Sequence, residues 1–501
     1  MRKILLELLI INFICRMTDK KIDPNTYWKT EIEFVFQQLH KFNPRGLIIK
    51  HDHFLPPNQI FGSLPHPNGG WVTCGLEADL RIMKIVEEHL SNLKGSSQLD
   101  WDSVLVAFRK ELSDRFIGQR LPISGNLIHR AINNAVKVAE RERKTITHWI
   151  PCHLVANDNP ALIHAGPVTF QRISNFMQDL QPELARYINE LSSDQDRRCL
   201  EGIDGDRPVS KKQREDLVDK ARRYYEHFDW VAKVTISNFA SRPSADRAGL
   251  CVQAALDVFR FFLGRLSGHS IDTETHGILG IEKAQFTKIK NEKLDISLYQ
   301  ALTVPRLNDE AWSGLIAFID PQKPNLVDSL LKTLMSGDTP PPLSKRLLDS
   351  LNWFGQAANE TSPGAAITKF VTSIEQIVQG GKKDQDGSVT KQFCDRAAAF
   401  CVITDNSKFD YWHTELKQLY GLRSNIVHGS ISPQSFTLNR NIREAEKLAK
   451  RVICGAMTFF EQLDIHSEKW KTNQLNEKLD SFVHDVKQNS LSTTQETDIN
   501  E

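Results

Sequence analysis

The sequence predicts a mainly α fold, in which a C-terminal antiparallel helical bundle follows a larger, mostly helical region with a small β element. Three observations lead there. Apolar residues recur at three- and four-residue steps over most of the chain. The period shortens to two around 145–172 and 230–239, in short runs, the first of them broken by turn residues. Three consecutive prolines, Pro340-Pro341-Pro342, cannot continue a helix and favour a stiff extended linker.

At 501 residues the chain exceeds one ordinary core, so two or three domains are expected. Residues 1–16 read as a non-native or disordered leader. Arg2 and Lys3 precede a short apolar run, Ile4–Cys15, but Glu7 and Asn12 interrupt it and no A-x-A pattern follows. The run is too short to span a bilayer, and Met17 is the expected start.

Residues 17–336 are expected to form an accessory or sensor region with room for two subdomains. Trp28, Ile32, Val35, Phe36 and Leu39 set a helix over Tyr27–Phe42. The Pro44–Gly75 loop carries His51, Asp52, His53 and His66, donors that suit zinc or manganese. No helical ligand pair such as H-E-x-x-H accompanies them, so a polar surface loop is the preferred reading. Helical patterns follow at Leu76–Leu93 and over 101–144, where E-R-E-R-K at 140–144 marks a solvated face.

Thr145–Val155 and Ala161–Phe170 have extended character, with Asn157–Pro160 as a turn and Gly166-Pro167 as a bend. Cys152 and His153 are neighbours in such a strand and point to opposite faces, which does not suit a nucleophile and its base. Helix resumes over Phe170–Leu191. Arg197–Arg223 is dense in cations, but Glu215, Asp216 and Asp219 interleave, so a solvated helix is preferred to a nucleic-acid contact. Trp230–Phe239 alternates as a strand and Ala248–Leu266 is a strongly apolar helix. Ser267–Gly280 reads as a loop whose His269, Asp272, Glu274 and His276 lack ligand spacing.

The linker is assigned to 337–342 and the helical domain to 343–466. Its helices are placed at Lys345–Asn359, Ala365–Gln379, Val389–Ile403, from Asp410 onward, and Arg440–Leu463. Residues 467–501 turn polar and are expected to be a disordered tail.

Composition narrows the function. A net charge of +1 argues against a whole-chain polyanion binder, although a local basic face could still hold RNA. Eight scattered cysteines without a C-x-x-C pair suit reduced thiols in the cytoplasm, and no run of 18 apolar residues predicts a membrane span.

One stretch concentrates chemistry: L-Y-G-L-R-S-N-I-V-H-G-S at 419–430. Arg423 shares a row with Leu419 and Ile426, so its stem should be packed while its guanidinium reaches outward. Ser424 lies one turn before His428, and Asn425 is three residues before it. Gly429 suits the left-handed position that ends a helix, which puts His428 in the last turn. Arg423 and His428 are about 140° apart around an ideal helix (~100° per residue), so they need not touch within one chain, and two copies facing across a dimer could bring both pairs together. Histidine exchanges protons near neutrality and arginine forks onto phosphate. The pair without an acidic metal cluster is an inventory for metal-independent RNA cleavage. The spacing alone is a weak signal and favours a helix end with a solvated histidine and an arginine ion pair.

This stretch resembles the R-x(4–6)-H signature of HEPN domains, most closely the Apea-like group. The likeness extends over about 343–466 and takes in F-V-T-S-I-E-Q-I at 370–377 and R-E-A-E-K-L-A-K-R at 443–451. The resemblance implies a compact helical bundle that dimerises. It also implies a metal-independent endoribonuclease without a cofactor, of the kind found in toxin–antitoxin and anti-phage systems, with single-stranded RNA or tRNA as substrate. An antitoxin or a phage-derived trigger would be the regulatory partner. It assigns Arg423 and His428 as the catalytic pair and Ser424 and Asn425 as polar positions that tune the site; Glu375 matches the acidic position of the second helix, either to orient Arg423 or as a surface or core-capping residue. Some members keep RNA or partner binding without cleavage, which is the alternative reading. Arg440, Arg443, Lys447 and Lys450 recur at three- and four-residue steps on the last helix, either as a phosphate track or as a solvated face.

Overall fold

The computed structural model describes residues 24–42, 62–156, 160–189, 210–273, 282–288, 294–300, 307–319, 325–379, 389–405 and 408–497. The expected leader, the His51–His53 segment, the Asn157–Asn159 turn, Glu274 and His276 lie outside them. The fold is mainly helical with small antiparallel sheets. The chain divides into two compact units, Met1–Ile146 with Ser237–Ser244, and Thr147–Ile236 with Ala245–Glu501.

In the first unit four helices share an apolar interior: α1 (Pro24–Phe42), α2 (Leu76–Ser91), α3 (Trp101–Leu112) and α4 (Gly125–Glu140). Helix α4 shows why. Ser124 caps it by accepting the Leu127 N–H, and Ile128, Ala131, Ile132, Ala135, Val136 and Ala139 form one buried stripe at helical spacing. The stretch expected to be a loop before α2 contains a short hairpin, β1 (Ser63–Pro65) against β2 (Trp71–Thr73).

The second unit holds most of a four-stranded sheet in the order β3 (Lys144–Cys152), β6 (Trp230–Phe239), β5 (Val168–Arg172) and β4 (Leu162–Ala165). The β4–β5 hairpin turns at Gly166, whose φ of +58 suits glycine. Helices α5 (Ile173–Asn189) and α6 (Lys211–Tyr225) pack together, with a capping box between Ser210 and Gln213 opening the second. Helix α7 (Ser241–Leu263) runs on to the short turn α8 (Arg265–Gly268), whose last two residues fall where the sequence suggested loop. A second hairpin, β7 (Glu282–Lys288) and β8 (Leu294–Gln300), precedes α9 (Asp309–Phe318) and α10 (Leu326–Thr333).

The C-terminal helices are α11 (Pro342–Asn359), α12 (Pro363–Val378), α13 (Val389–Thr404), α14 (Phe409–Val427), α15 (Asn439–Gln462) and α16 (Thr472–Thr497). Helix α12 packs between α11 and α15, and α13 packs on α14, α15 and α16. The first five fall close to their expected places.

Two expectations are corrected. Residues 337–342 fall inside the second compact unit, and Pro342 itself begins α11, at the position where a missing N–H is harmless. Helix α11 is tied to the preceding region instead. Asn352 donates to Asp257 (3.1 Å), and Gly355 sits so close to Asp257 that any side chain would collide. The polar tail after Ser467 is helical, since Leu475, Leu479, Val483 and Val486 repeat at three- and four-residue steps and are buried.

Candidate functional site

Helix α14 buries Phe409, Trp412, Leu416, Leu419 and Ile426 and thereby fixes the rotation of everything between them. Arg423 follows Leu419 by one turn and is half-buried. Its Nη2 lies 3.7 Å from Glu375 Oε2 on α12, and its Cζ stands 5.9 Å from the Tyr420 ring centroid. The Arg423 Nε is buried and has no hydrogen-bond partner among the described residues. Glu375 is itself buried, and this pushes its carboxyl above the ordinary range while the Arg423 charge pulls the other way. Tyr420 tilts against Phe393 (4.6 Å between ring centroids); burial raises its phenol and the Glu375 charge adds to that.

Tyr420 was not singled out from the sequence. The signal available was its place one turn before Arg423 on the same helix face.

The end of α14 is closed by backbone bonds. The His428 N–H donates to Ser424 O (2.9 Å), Gly429 N–H to Ile426 O (3.1 Å) and Ile431 N–H to Asn425 O (3.1 Å). Gly429 has φ +78, the left-handed conformation that glycine adopts without strain. The loop beyond is tacked to the start of α12. Pro433 O accepts the Gly364 N–H (2.8 Å) and the Ser362 hydroxyl (3.2 Å), and a Cβ on Gly364 would lie 2.5 Å from Pro433 Cα.

His428 is exposed, and its imidazole makes no hydrogen bond or ion pair with the described residues. Glu375 and Arg423 are therefore brought together, while the His428 imidazole pairs with neither. Ser424 and Asn425 contribute their carbonyls to the helix end.

On α15, Arg440, Arg443 and Lys447 are exposed. Lys450 is not part of an open track: its Nζ donates to Phe262 O (3.4 Å), lies 3.5 Å from Glu446 and stands 5.9 Å from the Phe354 ring centroid. In the remaining metal candidate, His66 Nδ1 accepts the Asn68 N–H (3.2 Å). Among the described residues no group of histidines, cysteines and acids is placed to hold a metal ion. Burial pushes the Cys394 thiol to about 11 and Cys401 to about 12, which keeps both as thiols near neutrality.

A further charged group went unnoticed in the sequence. Asp257 and Arg260 form a buried pair on α7 (2.7 Å), and the Arg260 guanidinium also meets Ile271 O and lies 3.5 Å from Asp272. Its signal was a D-x-x-R pair inside the apolar run A-A-L-D-V-F-R-F-F-L at 254–263.

Comparison of the chain with protein-family models, with curated proteins and with solved structures found no match.

Proposed function

We propose that the end of α14 is the active centre of a metal-independent endoribonuclease of the HEPN class. The observation that carries this reading is an arginine anchored by a buried acid on the same short helix end as an exposed histidine. In the reaction His428 takes the proton of an RNA 2′-hydroxyl, and O2′ attacks the adjacent phosphorus. The bond to the 5′-oxygen breaks and that oxygen takes a proton from water, leaving a 2′,3′-cyclic phosphate and a 5′-hydroxyl strand. Arg423 neutralises the charge that builds on the phosphoryl oxygens, and Glu375 holds its side chain in place. Because His428 pairs with neither Arg423 nor Glu375 within one chain, a second copy completes the centre across a homodimer. The resemblance supports a toxin-like cytoplasmic effector of anti-phage defence. It would act on single-stranded RNA or tRNA and be held in check by an antitoxin or by the 17–336 region until a phage-derived trigger appears. No described helix is long and apolar enough to cross a membrane.

One observation favours a second reading. The His428 imidazole touches neither Arg423 nor Glu375 among the described residues, which also suits a module that binds RNA or protein without cutting.

The test is incubation of RNA with purified protein in EDTA. Wild type should yield 2′,3′-cyclic phosphate ends, and Arg423→Ala or His428→Ala should lower the rate by roughly 10²–10⁴. Cleavage that survives both substitutions, or that stops with chelation, removes the proposed mechanism. Binding without cyclic-phosphate ends selects the second reading. Mixing the two inactive chains should restore part of the activity if the centre is shared.

A further inference from the structure

Helix α16 has no role in that reaction, yet it holds Arg396, the α13 side chain that reaches the helix carrying Glu375. We infer that α16 is a positioning arm: by clamping Arg396 through Asp480 and Asn476, it fixes the carboxyl end of α12 and hence the reach of Glu375 to Arg423. The consequence for cleavage rests on the proposed function; the positioning itself does not.

The arm is docked by its apolar row and by Phe482, which stacks on Phe459 (4.4 Å) and tilts on Phe400 (5.2 Å). Before it, the chain is pinned at Ile465, whose carbonyl accepts the Ser344 hydroxyl (2.9 Å), and then runs largely exposed to Thr472.

The decisive contact is Arg396 on α13. It is 1 % exposed, the value for a fully interior residue, although it carries a charge. Its Nε donates to Asp480 Oδ1 (2.9 Å), and Nη2 lies 2.8 Å from the same oxygen without the angle of a hydrogen bond. Its Nη1 donates to Asn476 Oδ1 (3.1 Å) and to Val378 O (2.8 Å), the last residue of α12. Beside it, Arg346 Nη1 donates to Gln379 O (2.7 Å) and Ile377 O (3.1 Å). Burial, and then the like charge of Arg396, bring Arg346 down to about 10.

Two guanidiniums thus converge on the carboxyl end of α12, where unpaired helix carbonyls favour cations. Asp480 is the carboxylate within ion-pair distance of Arg396 among the described residues. Glu375 belongs to that same last turn, since the Gln379 N–H donates to Glu375 O (2.9 Å). The carbonyls held by the arginines and the carboxylate that meets Arg423 are parts of one turn, so loosening the first displaces the second.

A second anchor of α16 supplies the control. Lys487 meets Asp395 (2.9 Å) and stands 4.8 Å from the Phe409 ring centroid, tying the arm to α13 and α14 without reaching α12.

The experiment uses the full chain with Asp480→Ala, Asp480→Asn, Asp480→Glu and Lys487→Ala. It reads RNA cleavage and the titration of Glu375 by ¹³Cδ-glutamate NMR, assigned through Glu375→Gln. Asp480→Ala should slow cleavage about tenfold, the scale of one lost charged hydrogen bond, and move the Glu375 midpoint down as that side chain meets water. Asp480→Asn keeps the shape and should show the same direction if the alanine variant folds poorly. Asp480→Glu should recover most of the rate, and Lys487→Ala should change neither readout. In a Glu375→Gln background Asp480→Ala should have no further effect on rate. Equal losses from Asp480→Ala and Lys487→Ala, or an unmoved Glu375 midpoint, would overturn the inference. If wild type cuts no RNA, the ribonuclease reading fails and the midpoint still decides the role of α16.

Discussion

In the first unit the interior of α1 to α4 is apolar, and Ser113 and Ser244 are the buried polar residues described there. The second unit buries His153, Arg214, Asp257, Arg260, Glu375 and Arg396. An apolar interior is stabilised by area removed from water and tolerates change in proportion to volume. A buried charge depends on particular partners, and removing one partner exposes the desolvation of the other. The second unit therefore holds its side chains in more specific geometry, and the Arg423–Glu375 pair lies there.

The largest effects should separate the two kinds of interior. In the first unit Phe108→Ala should lose about 3–5 kcal/mol by urea denaturation, and Ile132→Ala should add to the loss. In the second, Asp257→Ala should lose a similar ~3–5 kcal/mol by stranding Arg260, but Asp257→Ala with Arg260→Met should recover most of it. A double variant no better than the single one would break the comparison.

A pH series sharpens it at the site. Burial raises the Glu375 carboxyl, so the folded chain takes up its proton more readily than the unfolded chain. The stability this contributes is full below the ordinary carboxylate value of about 4.3 and is lost as pH rises through the raised value. Thermal midpoints of wild type should fall relative to Glu375→Gln across that window. The cleavage rate should move oppositely, rising as Glu375 ionises and grips Arg423, and the Gln variant should lack this limb.

The smallest effects concern two glycines at one helix. Gly429→Ala meets no neighbour but must hold φ +78, and should destabilise by about 1 kcal/mol. Gly421→Ala, inside α14 with open space around it, should stabilise by roughly 0.5–1 kcal/mol. Chemical denaturation of both variants checks the opposite signs.

Much of this was legible in the sequence. The helices of the C-terminal region announce themselves through apolar stripes, and Gly429 marks the end of α14. Helix α16 was hidden because its buried aliphatic residues, spread through charged and polar ones, look like solvated chain until Phe400 and Phe459 supply a surface. The division into units was hidden because Asp257, Asn352 and Gly355 meet only in three dimensions, whereas three prolines are conspicuous in one. The nearness of Glu375 to Arg423 was suggested by resemblance, since nothing in the spacing of α12 and α14 sets their rotation. Tyr420 had a visible position but no visible partner.

The seam between Gly364 and Pro433 has a consequence for ancestry. One position sits at the start of a helix and the other in the loop after the candidate histidine, and Gly364 cannot gain a side chain while Pro433 lies there. Gly455, pressed against the backbone of Phe400, is under a similar restriction. Descendants of a common ancestor that retain this packing must carry these small residues at matching intervals from Arg423 and His428. Such a sparse fingerprint can reveal kinship after the surrounding sequence has drifted beyond recognition.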